Sequence, residues 1–232
     1  MNRNVTNKIN AFIDNWIPPV FRDNKFFVAI LFRIVIGKKY RFYLEFKDRI
    51  PTMTEHEINK YYTILGKTFI SRKTDLNKRC IKKIAQEVIG KKILDAGAGN
   101  GVMAKKLYYA DRSMECTICD IILPSKMKRV EGIEYVEATL TKLPFEENSF
   151  DTVICTHVLE HIKDYKTALK ELRRVCKKKL IIVIPRQREY KYTCDLHINF
   201  YPYQYNVERL MQSHAFIELL DNDWICIEEN NI

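Results

Sequence analysis

The 232-residue sequence lacks low-complexity tracts, clear internal repeats and any apolar segment long enough to cross a lipid bilayer. Its most apolar segment, residues 26–36, has 11 residues and contains an arginine, whereas a membrane-spanning helix needs about 20 residues. The beginning of the sequence carries scattered charges and no apolar segment of the secretory kind. Together with a hydrophobic content of 47%, these absences exclude repeat arrays and disordered chains and favour a globular protein.

The cysteines do not suggest a disulfide framework, because their number, seven, is odd and their spacing is irregular. Cys116 and Cys119 form a C-x-x-C pair, but residues three apart on a strand point to opposite faces, and no second pair follows. We therefore expect no metal centre, and buried free thiols in a reducing, cytoplasmic compartment. The seven are Cys80, Cys116, Cys119, Cys155, Cys176, Cys194 and Cys226.

The charge balance is strongly basic, with 39 Lys and Arg residues against 29 Asp and Glu residues and a net charge of +10. Such a balance suits nucleic acid, an anionic membrane surface or an anionic small substrate. The lysines are spread along the chain, with short runs at 82–83 and 177–179, and compositional bias alone can produce this pattern. Charge by itself therefore does not select a partner.

Residues 93–101, which read ILDAGAGNG, are the most informative segment. Two apolar residues and Asp95 precede three alternating glycines, a pattern that predicts a buried strand, a tight turn and the start of a helix. Dinucleotide-binding loops place a third glycine where this chain has Val102, and the carboxylate of Asp95 would repel a pyrophosphate. The loop therefore suits a cationic or hydroxyl-bearing ligand.

Two further predicted strands lead into carboxylates. Residues 114–120 end at Asp120, which lies 19 residues after Gly101, and an acid about 20 residues past the glycines of a βαβ unit reaches ribose hydroxyls. The short β-rich run 133–136 is followed by Glu137. A longer motif then reads LPFEENSFDTVICTHVLEH over residues 143–161.

In this order the segments resemble class I S-adenosylmethionine (SAM) methyltransferases, in particular the small-molecule and glycan-directed kind with LPF, NSFD and HVLEH elements, over residues 75–185. The resemblance implies a Rossmann-like α/β fold, SAM as methyl donor and S-adenosylhomocysteine as product. It also implies that Glu137, where the family more often has Asp, meets the adenine amine and that the next N–H meets the ring. The residues it assigns to the cofactor are Asp95, Gly97, Ala98, Gly99, Asp120, Ile121, Glu137, Ala138, Thr156 and His157.

The resemblance predicts a mostly parallel seven-stranded sheet with an antiparallel last strand, forming a methyltransferase domain over residues 75–232. A helical extension over residues 1–74 precedes it, and in the family such helices often form a lid. Ligands are expected at the carboxyl ends of the strands, near the switch in strand order. We expect strands near 92–95, 115–120, 133–137, 150–155, 180–184, 216–220 and 224–227, and helices near 75–89, 101–110, 164–177 and 206–213.

Within the extension, Asp23 is predicted to cap a helix through Ile36 that Gly37 ends. This helix is apolar nearly all round, which predicts burial against the core or a partner subunit; an interfacial membrane anchor flanked by the cations of residues 38–41 is the alternative. A capping box predicts a second helix, which begins after Thr54. The protein is expected to be a monomer or homodimer.

His157, Glu160 and His161 also fit H-x-x-E-H, an inverted zinc-protease motif. That motif needs a long helix that carries both histidines on one face. Here the segment directly follows a predicted strand, and Asp164 begins the next helix, so there is room for about one turn. We therefore disfavour zinc hydrolysis and expect Glu160 and His161 to orient the loop by hydrogen bonds.

The segment after the fifth predicted strand, residues 185–205, mixes five tyrosines with three cationic side chains and suits a sugar, a sugar phosphate or a nucleotide. Its DLHINF stretch resembles an element that many glycan and quinone methyltransferases carry. His197 is the candidate general base, because a neutral imidazole takes a hydroxyl proton near pH 7; fixing the loop is its alternative role. The candidate acceptor-binding residues are Arg186, Arg188, Tyr190 and Tyr201, with solvated surface charge as the alternative for the arginines.

We expect methyl transfer to an oxygen or nitrogen of a small anionic or glycan-linked acceptor, in the biosynthesis of a bacterial surface-polysaccharide precursor. A quinone or lipid head group, which suits the apolar helix, and RNA, which suits the charge, are alternatives. RNA is disfavoured because the sequence has neither an N-P-P-Y-type motif nor a recognisable RNA-binding module. A non-catalytic SAM-binding regulatory subunit and peripheral membrane contact also remain open.

Overall fold

The structure is a computed structural model that describes residues 16–65, 74–123, 127–192, 196–212 and 214–230. The chain divides into two compact units. Of the described residues, the first unit takes those up to 65 together with 188–192 and 196–199, and the second takes the rest. The segment after the fifth strand therefore contributes residues to both units.

The second unit is built on a seven-stranded sheet. The strands are β1 (Lys92–Ala96), β2 (Glu115–Asp120), β3 (Ile133–Glu137), β4 (Phe150–Thr156), β5 (Cys176–Pro185), β6 (Phe216–Leu220) and β7 (Asp223–Glu229). Their order is β3-β2-β1-β4-β5-β7-β6. Strand β7 runs antiparallel to both of its neighbours, and the other adjacent pairs are parallel. The predicted Rossmann-like sheet with an antiparallel last strand is confirmed.

Helices cover both faces of this sheet because its strands alternate apolar side chains between the two faces. The described helices are α1 (Pro19–Arg22), α2 (Lys25–Ile36), α3 (Tyr40–Arg49) and α4 (Glu55–Leu65) in the first unit, and α5 (Lys78–Glu87), α6 (Val102–Ala110), α7 (Tyr165–Val175) and α8 (Gln204–Met211) in the second. Leu94 belongs to the cluster that includes residues of α7 and α8, and its neighbour Ile93 to the cluster that includes residues of α5 and α6.

The predicted burial of the cysteines is confirmed for the residues that the structure describes. Cys119 lies in one core cluster and Cys116 in the other, so they occupy opposite faces of the sheet. The six described cysteines are free and buried, while Cys194 lies outside the described residues.

Two predicted boundaries were wrong by three residues or more. Helix α5 begins at Lys78 rather than residue 75, because the side chain of Asn77 accepts the N–H of Cys80 at 2.8 Å and caps it. Strand β5 begins at Cys176 rather than residue 180. Its charged start belongs in the sheet because Lys179 is buried between Glu87 and Glu229, with each N–O distance at 3.0 Å.

In the first unit, α2 is capped by Asn24 rather than by Asp23, since its side chain accepts two N–H groups of the first turn. Gly37 ends α2 with φ +72°, as predicted. The capping box before α4 is also confirmed, because Thr54 and Glu57 exchange hydrogen bonds at 2.8 and 3.3 Å.

Within this chain α2 is buried on one side only, and its packing against a partner subunit stays a prediction. Val28 is buried and Phe32 packs edge-on against Tyr43, with ring centroids 6.4 Å apart. On the other side, Phe26 is 85% exposed and Ile34 is 75% exposed. The small core of this unit, formed by residues such as Tyr43, Phe46 and Ile50, covers only one stripe of the helix.

Candidate functional site at the carboxyl edge of the sheet

Strand order reverses between β1 and β4, so their carboxyl ends form the crevice in which open α/β sheets bind ligands. The loop after β1 is fixed there by its backbone. The N–H groups of Gly97 and Ala98 donate to the carbonyl of Cys119 at 2.7 and 3.1 Å. The loop is therefore held against the end of β2 before any ligand binds.

Two glycines of this loop have different physical roles. Gly97 has φ +72°, and a Cβ added to it would lie 2.3 Å from the side chain of Val158, so close packing requires glycine. Gly99 has φ +55°, but a Cβ there would meet nothing within 4 Å. The loop is thus packed at Gly97 and borders open space at Gly99, where a ligand can approach the backbone.

Asp120, at the end of β2, faces this loop. Its Oδ2 accepts the N–H of Gly99 at 2.7 Å, and its Oδ1 accepts the N–H of Ile122 at 3.2 Å. Burial raises the pKa of Asp120, although its backbone hydrogen bonds oppose the shift. Ile121, the next predicted cofactor residue, is 40% exposed beside it.

Asp95 is almost completely buried at the end of β1. Its Oδ2 accepts the N–H of Ala104, in the first turn of α6, at 3.0 Å. Burial raises the pKa of Asp95 to about 6; the hydrogen bond from Ala104 lowers it, and repulsion from Asp120 raises it further. Carboxylates therefore lie at or next to the carboxyl ends of two neighbouring strands, β1 and β2. No cation is among the groups that shift the pKa of Asp95.

Glu137 ends β3 and is exposed, and its Oε1 accepts the N–H of Leu123 at 3.1 Å. The N–H of Ala138 donates to the carbonyl of Asp120 at 3.0 Å. A contact from this N–H to an adenine ring would therefore have to share or replace an existing hydrogen bond. The contact predicted for the Glu137 side chain, with the adenine amine, does not require this backbone hydrogen bond to change.

His157 follows Thr156 at the end of β4 and has a left-handed backbone, with φ +56°. Its Nδ1 lies 3.3 Å from Glu160 Oε1, and its Nε2 lies 3.6 Å from Asp223 Oδ2. Asn77 also donates to Asp223 Oδ2, at 2.8 Å. These four side chains form a buried polar network beneath the β4 turn.

Burial opposes a positive charge on His157, but its contacts to Asp223 and Glu160 outweigh burial and raise its pKa to about 10. His157 is therefore an imidazolium at neutral pH. The sequence did not point to Asp223 or Asn77, because no local pattern links them to a histidine about 70 positions away along the chain.

The structure does not provide the helix that the inverted zinc motif requires. Residues Leu159–His161 form a single 3₁₀ turn, and α7 begins after Asp164, whose side chain accepts the N–H of Thr167 at 3.1 Å. Zinc hydrolysis is thus disfavoured by the local geometry as well as by the sequence.

Two of the four predicted acceptor-binding residues are packed inside their units. Tyr201 is buried in the core of the second unit, its carbonyl accepts the indole N–H of Trp224 at 2.8 Å, and burial raises the pKa of its hydroxyl. Tyr190 is buried in the first unit, where the guanidinium of Arg22 lies 5.4 Å from its ring centroid. Packing covers both rings in this structure, and the acceptor contacts predicted for Tyr190 and Tyr201 stay predictions.

The remaining candidates are more accessible. Arg186, in the second unit, is exposed, and its Nε lies 3.4 Å from the carbonyl of Pro202. Arg188 is exposed in the first unit, where His197 is half-buried. The roles of these three residues stay predictions.

Comparison with known proteins gives one family match, because residues 94–184 match the family described as "Methyltransferase domain". A demethylmenaquinone methyltransferase of Paenarthrobacter aurescens is 27% identical over 133 residues, which are 56% of this chain and 51% of that protein. An uncharacterized methyltransferase of Bacillus subtilis is 31% identical over 94 residues, which are 37% of this chain and 36% of that protein. The chain therefore spans about half or less of the length of these relatives.

Two solved structures share the fold. A protein of Pyrococcus horikoshii aligns with a TM-score of 0.54 and 18% identity, over 74% of this chain and 98% of the other. A SAM-dependent methyltransferase of Aquifex aeolicus aligns with a TM-score of 0.50 and 15% identity, over 76% of this chain and 98% of the other. The chain therefore has the fold of these two structures, and its residues 94–184 are similar to the methyltransferase-domain family.

Proposed function

We propose that this protein is a SAM-dependent methyltransferase that acts on an oxygen or nitrogen of a small acceptor. The observation that carries the proposal is the acidic edge formed by Asp95, Asp120 and Glu137 around the open side of Gly99. SAM has a sulfonium, an ammonium and a ribose diol but no phosphate, so carboxylates suit it where they would repel a dinucleotide. These carboxylates give this edge a charge opposite in sign to the chain's net charge of +10, which favours a cationic ligand.

The side chains present fit distinct parts of SAM. Asp120, already hydrogen-bonded through both oxygens to backbone N–H groups, is oriented to accept from the ribose hydroxyls. Asp95 would supply negative charge for the cationic part, and the exposed Glu137 would be available to the adenine amine. When bound, SAM would supply a sulfonium methyl group for transfer to the acceptor's oxygen or nitrogen lone pair, and the electron pair of the broken C–S bond would stay on sulfur.

The chain's contribution to this reaction is mainly to position the two reactants. His157 does not accept the acceptor's proton, because its contacts with two carboxylates keep it protonated at neutral pH. It acts instead as a positioning residue for the β4 turn. His197 stays the proposed base for an acceptor, such as a sugar hydroxyl, whose proton must be removed for attack.

For the acceptor, a small anionic or glycan-linked molecule of the surface-polysaccharide precursor type remains the first candidate. The exposed side chains of Arg186 and Arg188 support it, because guanidinium groups bind carboxylates and phosphates in a bidentate geometry. Tyr190 and Tyr201 are buried and add nothing to that argument, whereas Tyr203 and Tyr205 of the same segment are exposed.

A quinone or related lipid head group is the second candidate. It is supported by the names of relatives, since a second demethylmenaquinone methyltransferase, from Thermotoga maritima, is 32% identical over 48% of this chain. The exposed apolar side of α2 also suits an apolar acceptor. Activity with reduced quinones but not with glycan acceptors would select this candidate.

Calorimetric titration with SAM and S-adenosylhomocysteine tests the cofactor site. Asp120→Asn should weaken SAM binding at least about tenfold, since a hydrogen bond to a charged group contributes about 1.5–3 kcal/mol. Glu115→Gln is the matched control, because Glu115 is an exposed acid at the opposite end of the same strand and should leave affinity unchanged.

Loss of SAM binding in both variants would indicate a general charge effect, and no binding by the wild-type protein would refute the proposal. SAM binding followed by formation of S-adenosylhomocysteine with one acceptor class would identify the enzyme. Binding without turnover of glycan, quinone or RNA acceptors would instead favour a regulatory subunit.

A further inference from the structure

The first unit carries an apolar surface that the proposed methyl transfer does not use. At 100° per residue, five side chains of α2 fall within an arc of about 140° and form what we call the apolar stripe. Each is exposed, whereas on the other side of the helix Val28 is buried and Phe32 packs against the core of the first unit. The stripe consists of Phe26, Phe27, Ile30, Leu31 and Ile34.

The apolar stripe continues onto α1. The rings of Phe21 and Phe27 lie 6.0 Å apart between centroids, which joins the two helices into one surface. Trp16 and Val20 add further exposed apolar area, with 76% and 71% of their surfaces accessible. Large apolar side chains gathered on one exposed surface, rather than scattered singly, indicate an interaction site.

Cations border this surface. Lys25 begins α2, Arg33 lies at the edge of the apolar stripe, and Lys38 and Arg41 follow the helix; the four side chains are exposed. Between residues 22 and 41 the chain has six Lys and Arg residues and a single carboxylate, Asp23. Two copies of this chain joined through the stripe would bring these like charges together, whereas anionic lipid head groups would neutralise them.

We propose that the apolar stripe docks this protein onto an anionic membrane surface, with α2 lying in the plane of the head groups. Helix α2 has 12 residues and a length of about 18 Å, which is too short for a hydrocarbon core of about 30 Å. In the described part of the chain, no helix combines the length and the apolar content needed to cross a bilayer. The contact is therefore interfacial, and it does not depend on the methyltransferase proposal.

Co-sedimentation of the full chain with lipid vesicles tests the docking. Vesicles of phosphatidylcholine with about 30% phosphatidylglycerol should bind the protein at least about tenfold more tightly than pure phosphatidylcholine. The double variant Ile30→Ser, Ile34→Ser should lower this binding at least about tenfold, because it removes apolar contact with the acyl region. Both positions are exposed, so the variant should keep the wild-type melting temperature.

Matched controls separate the stripe from general adsorption of a basic protein. Phe216→Ser removes an apolar side chain that is 53% exposed on β6, and it should leave vesicle binding unchanged. Lys38→Gln should weaken binding about fivefold, whereas Lys177→Gln, at an exposed position of β5, should change it by less than about twofold.

Three results would overturn the proposal. The first is the absence of binding to anionic vesicles. The second is equal binding by the wild type and the stripe variants, which would indicate adsorption through net charge alone. The third is a wild-type dimer in light scattering that Ile30→Ser, Ile34→Ser converts to a monomer without any vesicle binding, which would make a second copy the occupant.

Discussion

Replacing Asp95 with asparagine should stabilise the protein while weakening its affinity for SAM. Asp95 is buried, and burial raises its pKa from 3.8 to about 6. A raised carboxyl pKa means that ionisation disfavours the folded state. At 1.36 kcal/mol per pKa unit, the charge on Asp95 lowers the free energy of unfolding by about 3 kcal/mol at pH 7.

Asp95→Asn removes this charge and keeps an oxygen that accepts the N–H of Ala104. The new amide N–H₂ offsets part of the gain, because a buried donor without a partner costs about 1–3 kcal/mol. We therefore expect a net stabilisation of about 1 kcal/mol, which raises the melting temperature by about 2–4 °C for a chain of this size. SAM affinity should fall about tenfold or more, since a charged contact to the cofactor is lost.

The pH dependence has a defined sign. Well below pH 3.8 the carboxyl group is neutral in both the folded and the unfolded state, so the charge-related stability difference between Asp95→Asn and the wild type vanishes. It grows as pH rises to about 6 and is constant above that pH. Over the same interval the SAM affinity of the wild type should rise as Asp95 ionises.

Thermal melts from pH 4 to 8 and calorimetric titration of SAM at each pH measure both effects. A variant that is less stable than the wild type at pH 7 would refute the assignment of unfavourable burial to Asp95. Unchanged SAM affinity would refute its placement beside the cationic part of the cofactor.

Three further predictions follow from the same edge of the sheet. Gly97→Ala should lower the free energy of unfolding by about 2 kcal/mol or more, because the new Cβ would meet Val158. Gly99→Ala should lower the free energy of unfolding by only about 1 kcal/mol and should mainly weaken SAM binding. Thermal melts and calorimetric titration of both variants check this. His157→Gln leaves two buried carboxylates without their cation and should cost about 3–5 kcal/mol in urea unfolding at pH 7. Because contacts raise the pKa of His157 to about 10, the stability that its charge gives the fold should be lost as pH rises through about 10. If the free energy of unfolding of His157→Gln fell with alkaline pH as steeply as that of the wild type, this would be contradicted. Asn77→Ala should lower stability by about 1–2 kcal/mol, since it loses a helix cap and a bond to Asp223; an unchanged urea midpoint would contradict the network.

The carboxyl edge of the sheet was largely predictable because its signals are local. Apolar runs ending in Asp95 and Asp120 predicted β1 and β2, and alternating glycines predicted the turn. Strand β5 was harder, because residues 176–179 carry three lysines in sequence. Only the distant partners Glu87 and Glu229 allow Lys179 to lie inside the sheet.

The burial of aromatic residues could not be read from composition. Tyr201 and Tyr190 stand in a segment whose mixed aromatic and basic character favours a binding surface. Whether a tyrosine faces a ligand or the core depends on the elements packed against it, and Tyr201 lies in the core cluster that includes Trp224 and residues of α8. The cofactor and acceptor roles assigned by residue number stay predictions.

By itself the sequence determined the order of strands and helices, the glycine loop and the acidic ends of the first strands, because these follow from periodicity and turn chemistry within a few residues. Only the tertiary structure decided that His157 lies between Glu160 and Asp223, and which stripe of α2 is left uncovered. Both depend on residues that folding brings together across the chain, and the charge state of a buried histidine or the exposure of a helix face is a property of those neighbours.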